Sequence, residues 1–417
     1  MKLFQRFYKT TVLLFVVSSS VHGMVMDNRY FPWLPHLYNG SDSRHGCLFV
    51  EPFFITANSA WKVGPGSRDR EFGYPNLQGT LDYYQVAQAL MLDGYENPIP
   101  AEWQYVNPFA VDMPGSFEGQ GLSFAGYVPV SKHIGIGASL FVLRLIAQAN
   151  LVPAAETIRK LHLAAPGNQA QFNQLTQTIE SMVHTNDGYW KQSGVSDIEI
   201  YIKGFDVEEY AYWCRKIDKS LTLGLFIPTG VTSSPNFIGS VPFGGNGLWG
   251  WYLDSKLEVE LKEDWKAGLD LRIEKRFAKT SNQRICIAQE SNLFAPVIGS
   301  VYMNPGVTVG VAPYAALENM REGLGIMFKY TYIIHERDYF LDKREVKIPA
   351  ANFMNMSANS RWAQEYATLE LLYDLGFKHA WSYKPLCNIT WDIPLNVMGS
   401  RGASKTTRVA IGLTVDF

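Results

Sequence analysis

Residues Thr406 to Phe417 read TTRVAIGLTVDF, and their alternation decides the fold. Thr407, Val409, Ile411, Leu413, Val415 and Phe417 fall on one phase of a period-2 pattern, and Arg408, Ala410, Gly412, Thr414 and Asp416 on the other. Successive side chains of a β-strand point to opposite faces, so one face is apolar and the other small or polar. Strands of soluble proteins usually run about 5 to 6 residues, and this one continues for about twice that. Crossing the hydrocarbon core of a bilayer at a tilt takes about 9 to 11 residues, which this stretch supplies.

The stretch resembles the final strand of the outer-membrane β-barrel proteins of Gram-negative bacteria, which alternates in this way and ends in Phe. The resemblance implies a cell outer-membrane location and an antiparallel transmembrane barrel. Its partners would be the outer-membrane bilayer and the barrel-assembly machinery, with Phe417 as the assembly signal. It specifies a class and no activity.

The same pattern recurs through the chain. Trp251, Leu253, Leu257, Val259 and Leu261 alternate with Tyr252, Asp254, Lys256, Glu258 and Glu260, and after Lys262 to Asp264 the alternation resumes from Trp265 to Glu274. A turn there sets Glu260 opposite Lys266, Lys256 opposite Asp270 and Asp254 opposite Arg272. Three opposite-charge pairs from one register support a hairpin. Further alternating stretches lie at Ile134 to Val142, Ser220 to Ile227, Val307 to Val311, Leu324 to Tyr332, Ala367 to Leu375 and Ile389 to Val397. Weaker ones are Cys47 to Thr56, Gly119 to Val128 and part of Asp197 to Cys214, where a phase change near Gly204 suggests a bulge. Pro394 counts against a perfect ladder.

The expectation is an all-β fold, a transmembrane antiparallel β-barrel of about twelve strands, an even number as bacterial barrels require. The links after even-numbered strands are short and those after odd-numbered strands mostly long. A barrel with both chain ends in the periplasm segregates its connections in this way, and a soluble β-sandwich does not. Two long loops, at Thr80 to Asp93 and Asn168 to His184, have helical periodicity: Leu81, Tyr84, Ala87 and Leu90 share a face of the first, and Phe172, Leu175, Ile179 and Met182 a face of the second. An external cap is the preferred reading of these helices over a lumen plug.

Residues 1–23 read as a signal peptide: Lys2, Arg6 and Lys9 precede the apolar run Val12 to Val17, and Val21 and Gly23 suit cleavage before Met24. Residues 24–45 follow as an expected periplasmic segment. The barrel then occupies 46–417, with loop insertions near 58–114 and 147–196. The 417 residues carry a formal net charge of −2 and only 18% charged side chains, which excludes a basic nucleic-acid binder and a disordered acidic tail. A mean hydropathy of −0.08 excludes a helical membrane protein but not a barrel, half of whose strand residues are polar. Cys47, Cys214, Cys286 and Cys387 show no metal-ligand spacing; export permits disulfides, and three pairings are open.

Catalytic signatures are absent: no HExxH, GxSxG, Walker loop or Rossmann fingerprint occurs. FGGNG at residues 243–247 reads as a flexible loop. Asp206, Glu208 and Glu209 read as a solvated cluster, so no metal and no cofactor is expected. No histidine has a Ser and Asp or Asn that the sequence itself brings beside it.

The chemistry therefore resides in the lumen-facing set: Lys256, Glu258, Glu260, Lys266, Asp270, Arg272, Glu274, Lys329, Glu370, Asp374, Asp392 and Arg408. Such charges neutralise each other across strands and line an aqueous path. Glu370, Asp374 and Asp392, without evident partners, are the selectivity candidates, with a mild preference for cations or polar neutral solutes. Trp251, Trp265, Tyr332, Tyr373, Trp391 and Phe417 are candidates for the interfacial girdles. The function expected is a passive channel for small polar solutes. The alternatives are a barrel-embedded lipid hydrolase of the outer-membrane phospholipase type and a surface adhesion or structural barrel.

Overall fold

A computed structural model describes residues 26–33, 43–61, 115–149, 189–210, 214–377 and 383–417, with short interruptions within the later ranges and a few isolated positions elsewhere. Twelve long antiparallel strands form the wall. They are β1 Cys47–Ala57, β2 Gly115–Pro129, β3 Ile134–Ala149, β4 Ile198–Glu209, β5 Lys216–Ile227 and β6 Gly250–Lys262. The second half comprises β7 Trp265–Arg276, β8 Val307–Arg321, β9 Leu324–His335, β10 Trp362–Asp374, β11 Lys384–Leu395 and β12 Thr407–Asp416. Each pairs with its chain neighbours, and β1 pairs with both β12 and β2, so the sheet closes without a free edge. Each alternating stretch seen in the sequence falls on one of these strands, with Leu375, Val397, Thr406 and Phe417 just past the strand ends.

The short links gather at one end, the inner or periplasmic end. The β8–β9 turn needs only Glu322 and Gly323, both at positive φ (52° and 90°), the left-handed pair that a two-residue hairpin demands. The β6–β7 register is the expected one, with Lys266 opposite Glu260, Asp270 opposite Lys256 and Arg272 opposite Asp254.

Prolines break the ladder on one side only. The β1–β12 register skips Glu51 and Pro52, and the β8–β9 register skips Ala312 and Pro313, while the opposite neighbours pair through both sites. Pro394 lies two residues beyond the last β11–β12 pair, Asp392 with Arg408, so its missing donor interrupts nothing there.

The bulge is not near Gly204. The β4–β5 register runs unshifted through that residue; Phe205 and Val207 imitate a phase change because they face inward, against Tyr127 and Tyr201. The irregularity lies at Ser196–Asp197. Below it β3 pairs with β4, from Ile134 with Gly204 to Ser139 with Glu199. Above it β3 pairs with Tyr189–Val195, displaced by one residue.

On most strands the outward face is a continuous apolar band, with Ile202 at 58%, Leu223 at 57% and Ile411 at 60% exposure. An apolar surface of this extent is stable only against lipid. The upper parts of β2 and β3 reverse the arrangement. Phe117, Phe141, Leu143 and Leu145 are buried inside, and Glu118, Gln120, Arg144 and Gln148 are exposed outside. These strands therefore extend beyond the membrane into water.

Two long loops contribute structure that alternation did not reveal. Lys279–Ile285, Val297–Asn304 and Tyr339–Asp342 form a three-stranded sheet at the outer end. A helix at Phe353–Ser360, N-capped by Asn352, packs against it through Met356. The expected helix at Thr80 to Asp93 lies outside the described residues. So does most of the one at Asn168 to His184, where Ala170, Asn173, Gln177 and Ser181 are helical and exposed. The four cysteines are free thiols.

Candidate functional site: the barrel lumen

Alternation sends every second side chain inward, and together the twelve strands line the bore with them. Aromatic rings lie flat on the wall where the neighbouring strand offers glycine. Phe53 covers Gly121, Tyr201 covers Gly137, Tyr252 covers Gly224 and Tyr314 covers Gly268, each from the directly opposed position. A Cβ at any of these glycines would overlap the ring, so the glycine sets the ring's pose.

Charged side chains lie among the rings in three groups. Arg272 contacts Glu199 at 3.3 Å and Glu274 at 3.2 Å, with its guanidinium 3.7 Å from the Tyr252 ring centroid. Arg408 joins Asp392 at 2.5 Å and Glu51 at 3.0 Å. Lower down, Lys256 meets Glu258 at 3.2 Å, Tyr314 donates to Glu258, and Lys266 bonds Glu318 at 2.9 Å. Thus the hairpin's register is as expected but its ion pairs are not. Side chains lean diagonally or to the next strand, and Glu260 is met instead by Arg215 at 3.3 Å and Lys216 at 3.9 Å.

Of the selectivity candidates, Asp392 is not unpaired, because β12 brings Arg408 beside it and Thr368 donates to it at 2.5 Å. Asp374 accepts from the Gly376 amide at 2.8 Å and so shapes an inner turn. Glu370 and Lys329 do face the bore, both buried. Among the girdle candidates, Trp265, Tyr373, Trp391 and Phe417 are about half exposed on the outward face, whereas Trp251 and Tyr332 are partly covered. Phe417 extends the β1–β12 seam, exchanging two backbone hydrogen bonds with Gly46 at 2.9 and 3.0 Å.

Of the stretch 24–45 expected in the periplasm, residues 26–33 lie instead in the lumen. Residues 26–33 cross its outer half and touch opposite walls. Asp27 accepts two bonds from Arg276 of β7, at 2.7 and 3.1 Å, and Gln364 of β10 donates to the carbonyls of Asn28 and Phe31 at 3.4 and 3.1 Å. Thr406 donates to the Tyr30 carbonyl, and Met26 and Trp33 pack over Gly310 of β8. Phe31 meets Phe117, Phe141 and Phe243 with ring centroids 6.2, 6.3 and 6.4 Å away. At the inner end, the Ser43 amide and hydroxyl both donate to Asp218, at 2.8 and 2.9 Å. The connecting residues 34–42 lie outside the described residues. Sequence periodicity missed this plug because an irregular segment has none; the only signal was its content of Tyr30, Phe31 and Trp33.

The Ser196–Asp197 bulge serves the same region. It turns Asp197 inward, where it accepts from the amides of Gly230 and Gly245, at 3.0 and 2.8 Å, and from Arg276 at 2.7 Å. Arg276 therefore links the plug, through Asp27, to the loop that follows β5.

A second cluster was also unforeseen. The β8–β9 register sets Thr308 opposite His335, whose Nδ1 lies 2.7 Å from the threonine hydroxyl and whose Nε2 lies 2.9 Å from Asp338. The order Thr, His, Asp is that of a nucleophilic triad, but Thr308 is 1% exposed, so its hydroxyl cannot meet a substrate carbonyl in this conformation. His335 stacks on Trp362, with centroids 5.5 Å apart and planes 10° from parallel, and the cluster buttresses the outer rim.

No family model and no curated protein matches the sequence. Among solved structures, the COG4313 outer membrane channel from Pseudomonas putida F1 aligns over 93% of this chain and 100% of its own, with 11% identity and a TM-score of 0.50. The toluene transporter TodX of Pseudomonas putida covers 95% of this chain and 97% of its own, with 10% identity and a TM-score of 0.33. A Pseudomonas aeruginosa FadL homologue covers 90% of both chains, with 7% identity and a TM-score of 0.32. The first likeness concerns the fold, and the other two carry no argument about solute. The closed wall, the lipid-facing band and this fold likeness together show a transmembrane antiparallel β-barrel of the outer-membrane type.

Proposed function

We propose that the protein is a gated outer-membrane channel for small polar solutes, and that residues 26–33 are its gate. The observation that carries this reading is that the wall closes without the plug, whose described residues are held by side chains and loop contacts and pair with no strand of the wall. A segment outside the strand ladder can leave without opening a sheet edge. The polar character of the solute rests on the salt-bridged side chains of the bore, which an apolar molecule would have to pass without compensating their partial desolvation.

The test is conductance in planar bilayers of the refolded, heat-modifiable protein and of a variant lacking residues 26–33. The full chain should be silent or open rarely, and the variant should show sustained steps that scale with salt. A correctly folded deletion variant that stays silent would overturn the proposal.

A further inference from the structure

Directly above the plug lies a cavity of about 330 Å³. Its walls come from the loop after β5, the three-stranded outer sheet, the helix Phe353–Ser360 and the plug residue Arg29. The loop's hydroxyls at residues 232–234 and the sheet's polar residues 281–283 form one side, and Phe237, Phe340 and Met356 supply apolar surface. Phe237 is fixed against Trp190, with ring centroids 4.2 Å apart.

The charges lining this cavity are uneven. Arg29, Lys279 and Arg284 line it against one carboxylate, Asp338, which already accepts from the Gly306 amide at 2.8 Å and contacts His335. Arg284 is buried, and its guanidinium is oriented by the carbonyls of Pro235 and Ala295 at 2.5 and 2.9 Å. Burial pushes Arg284 down to about 10, which leaves it charged at neutral pH. Arg29 is held in the same manner by the carbonyls of Asn359 and Ser360, at 3.3 and 2.5 Å. Oriented guanidinium groups, hydroxyls and amides beside an apolar surface suit a small molecule with an anionic head and a compact apolar body. The volume is at the small end of that of organic-ligand pockets.

We propose that this cavity binds a small organic carboxylate at the outer face of the channel. Arg284 and Lys279 hold the carboxylate, and Arg29 places the occupant against the plug. The inference names the solute class of the channel proposed above and rests on that reading for its biological purpose, but its test does not require transport.

The test is calorimetric titration of the full-length, detergent-solubilised barrel with benzoate, benzyl alcohol, acetate and inorganic phosphate as probes. Benzoate should bind at least tenfold more tightly than the other three. Arg284→Gln should weaken benzoate at least tenfold. Lys279→Gln, at an exposed position, should weaken it by a smaller factor. Benzyl alcohol binding as well as benzoate would make the site merely apolar. Phosphate or acetate binding equally would make it a charge patch without selection for the organic body. Unchanged benzoate affinity in a folded Lys279→Gln variant, or no benzoate binding, overturns the proposal as well. Benzoate binding without conductance in the deletion variant would remove the channel reading and keep the site. Conductance without benzoate binding would do the reverse.

Discussion

β2 and β3 carry two opposite polarity patterns in a single pair of strands. In their inner halves Ile134 and Ile136 point outward to lipid, and Ser123 and Ser139 point inward. In their outer halves Arg144 and Glu118 point outward, and Phe117, Phe141 and Leu145 point inward. The strands and their alternation are continuous, so the reversal reports a change of surroundings. The lower wall separates lipid from a polar bore, and the upper wall separates water from an apolar core built around Phe31 of the plug. Phe31 of the plug is therefore held where the protein resembles a soluble domain, while Asp27 of the same segment is held by an ion pair to Arg276 of β7.

The most direct way to break this comparison is to disturb each region by its own logic. In the embedded region, Arg408→Ala leaves Glu51 and Asp392 buried without their cation and should cost about 3–5 kcal/mol, read as a lower denaturant midpoint in liposomes. In the upper region, Phe141→Ala opens a void beside Phe31 and Phe53 and should cost about 3–5 kcal/mol of local stability, read as faster amide exchange in the outer halves of β2 and β3. An unchanged exchange pattern would mean that no cooperative core exists there.

The outward faces sharpen it further. Ile202→Arg places a charge in the lipid-facing band and should cost about 2–4 kcal/mol if the site is near the bilayer midplane. Arg144→Leu, on the same barrel surface but above the band, should change stability by less than about 0.5 kcal/mol. Equal costs for the two substitutions would place the membrane boundary elsewhere.

The wall was legible in the sequence because a period of two is a local property. TTRVAIGLTVDF and the 251–274 hairpin carry their own register, and both are found as read. The reversal in β2 and β3 was not legible, since alternation does not say which phase faces lipid. Asp392 was read as unpaired because Arg408 reaches it from another strand, and no charge pattern along one strand reports that neighbour. The plug was missed for a related reason. Asp27 meets Arg276 across a gap of 249 residues, and its placement depends on a closed bore that exists only after the wall has formed.

In the proposed function, residues 26–33 close the channel and leave it when it opens. The most direct measurement is single-channel conductance of a Met26→Cys, Gly310→Cys variant, with the four native cysteines replaced, before and after reduction. Met26 packs on Gly310, so thiols at these positions lie on facing surfaces of the plug and β8, and the cross-linked fraction is the one recorded. A silent barrel is expected when the cross-link is confirmed, and salt-dependent openings once it is reduced. Equal conductance in both states would contradict it.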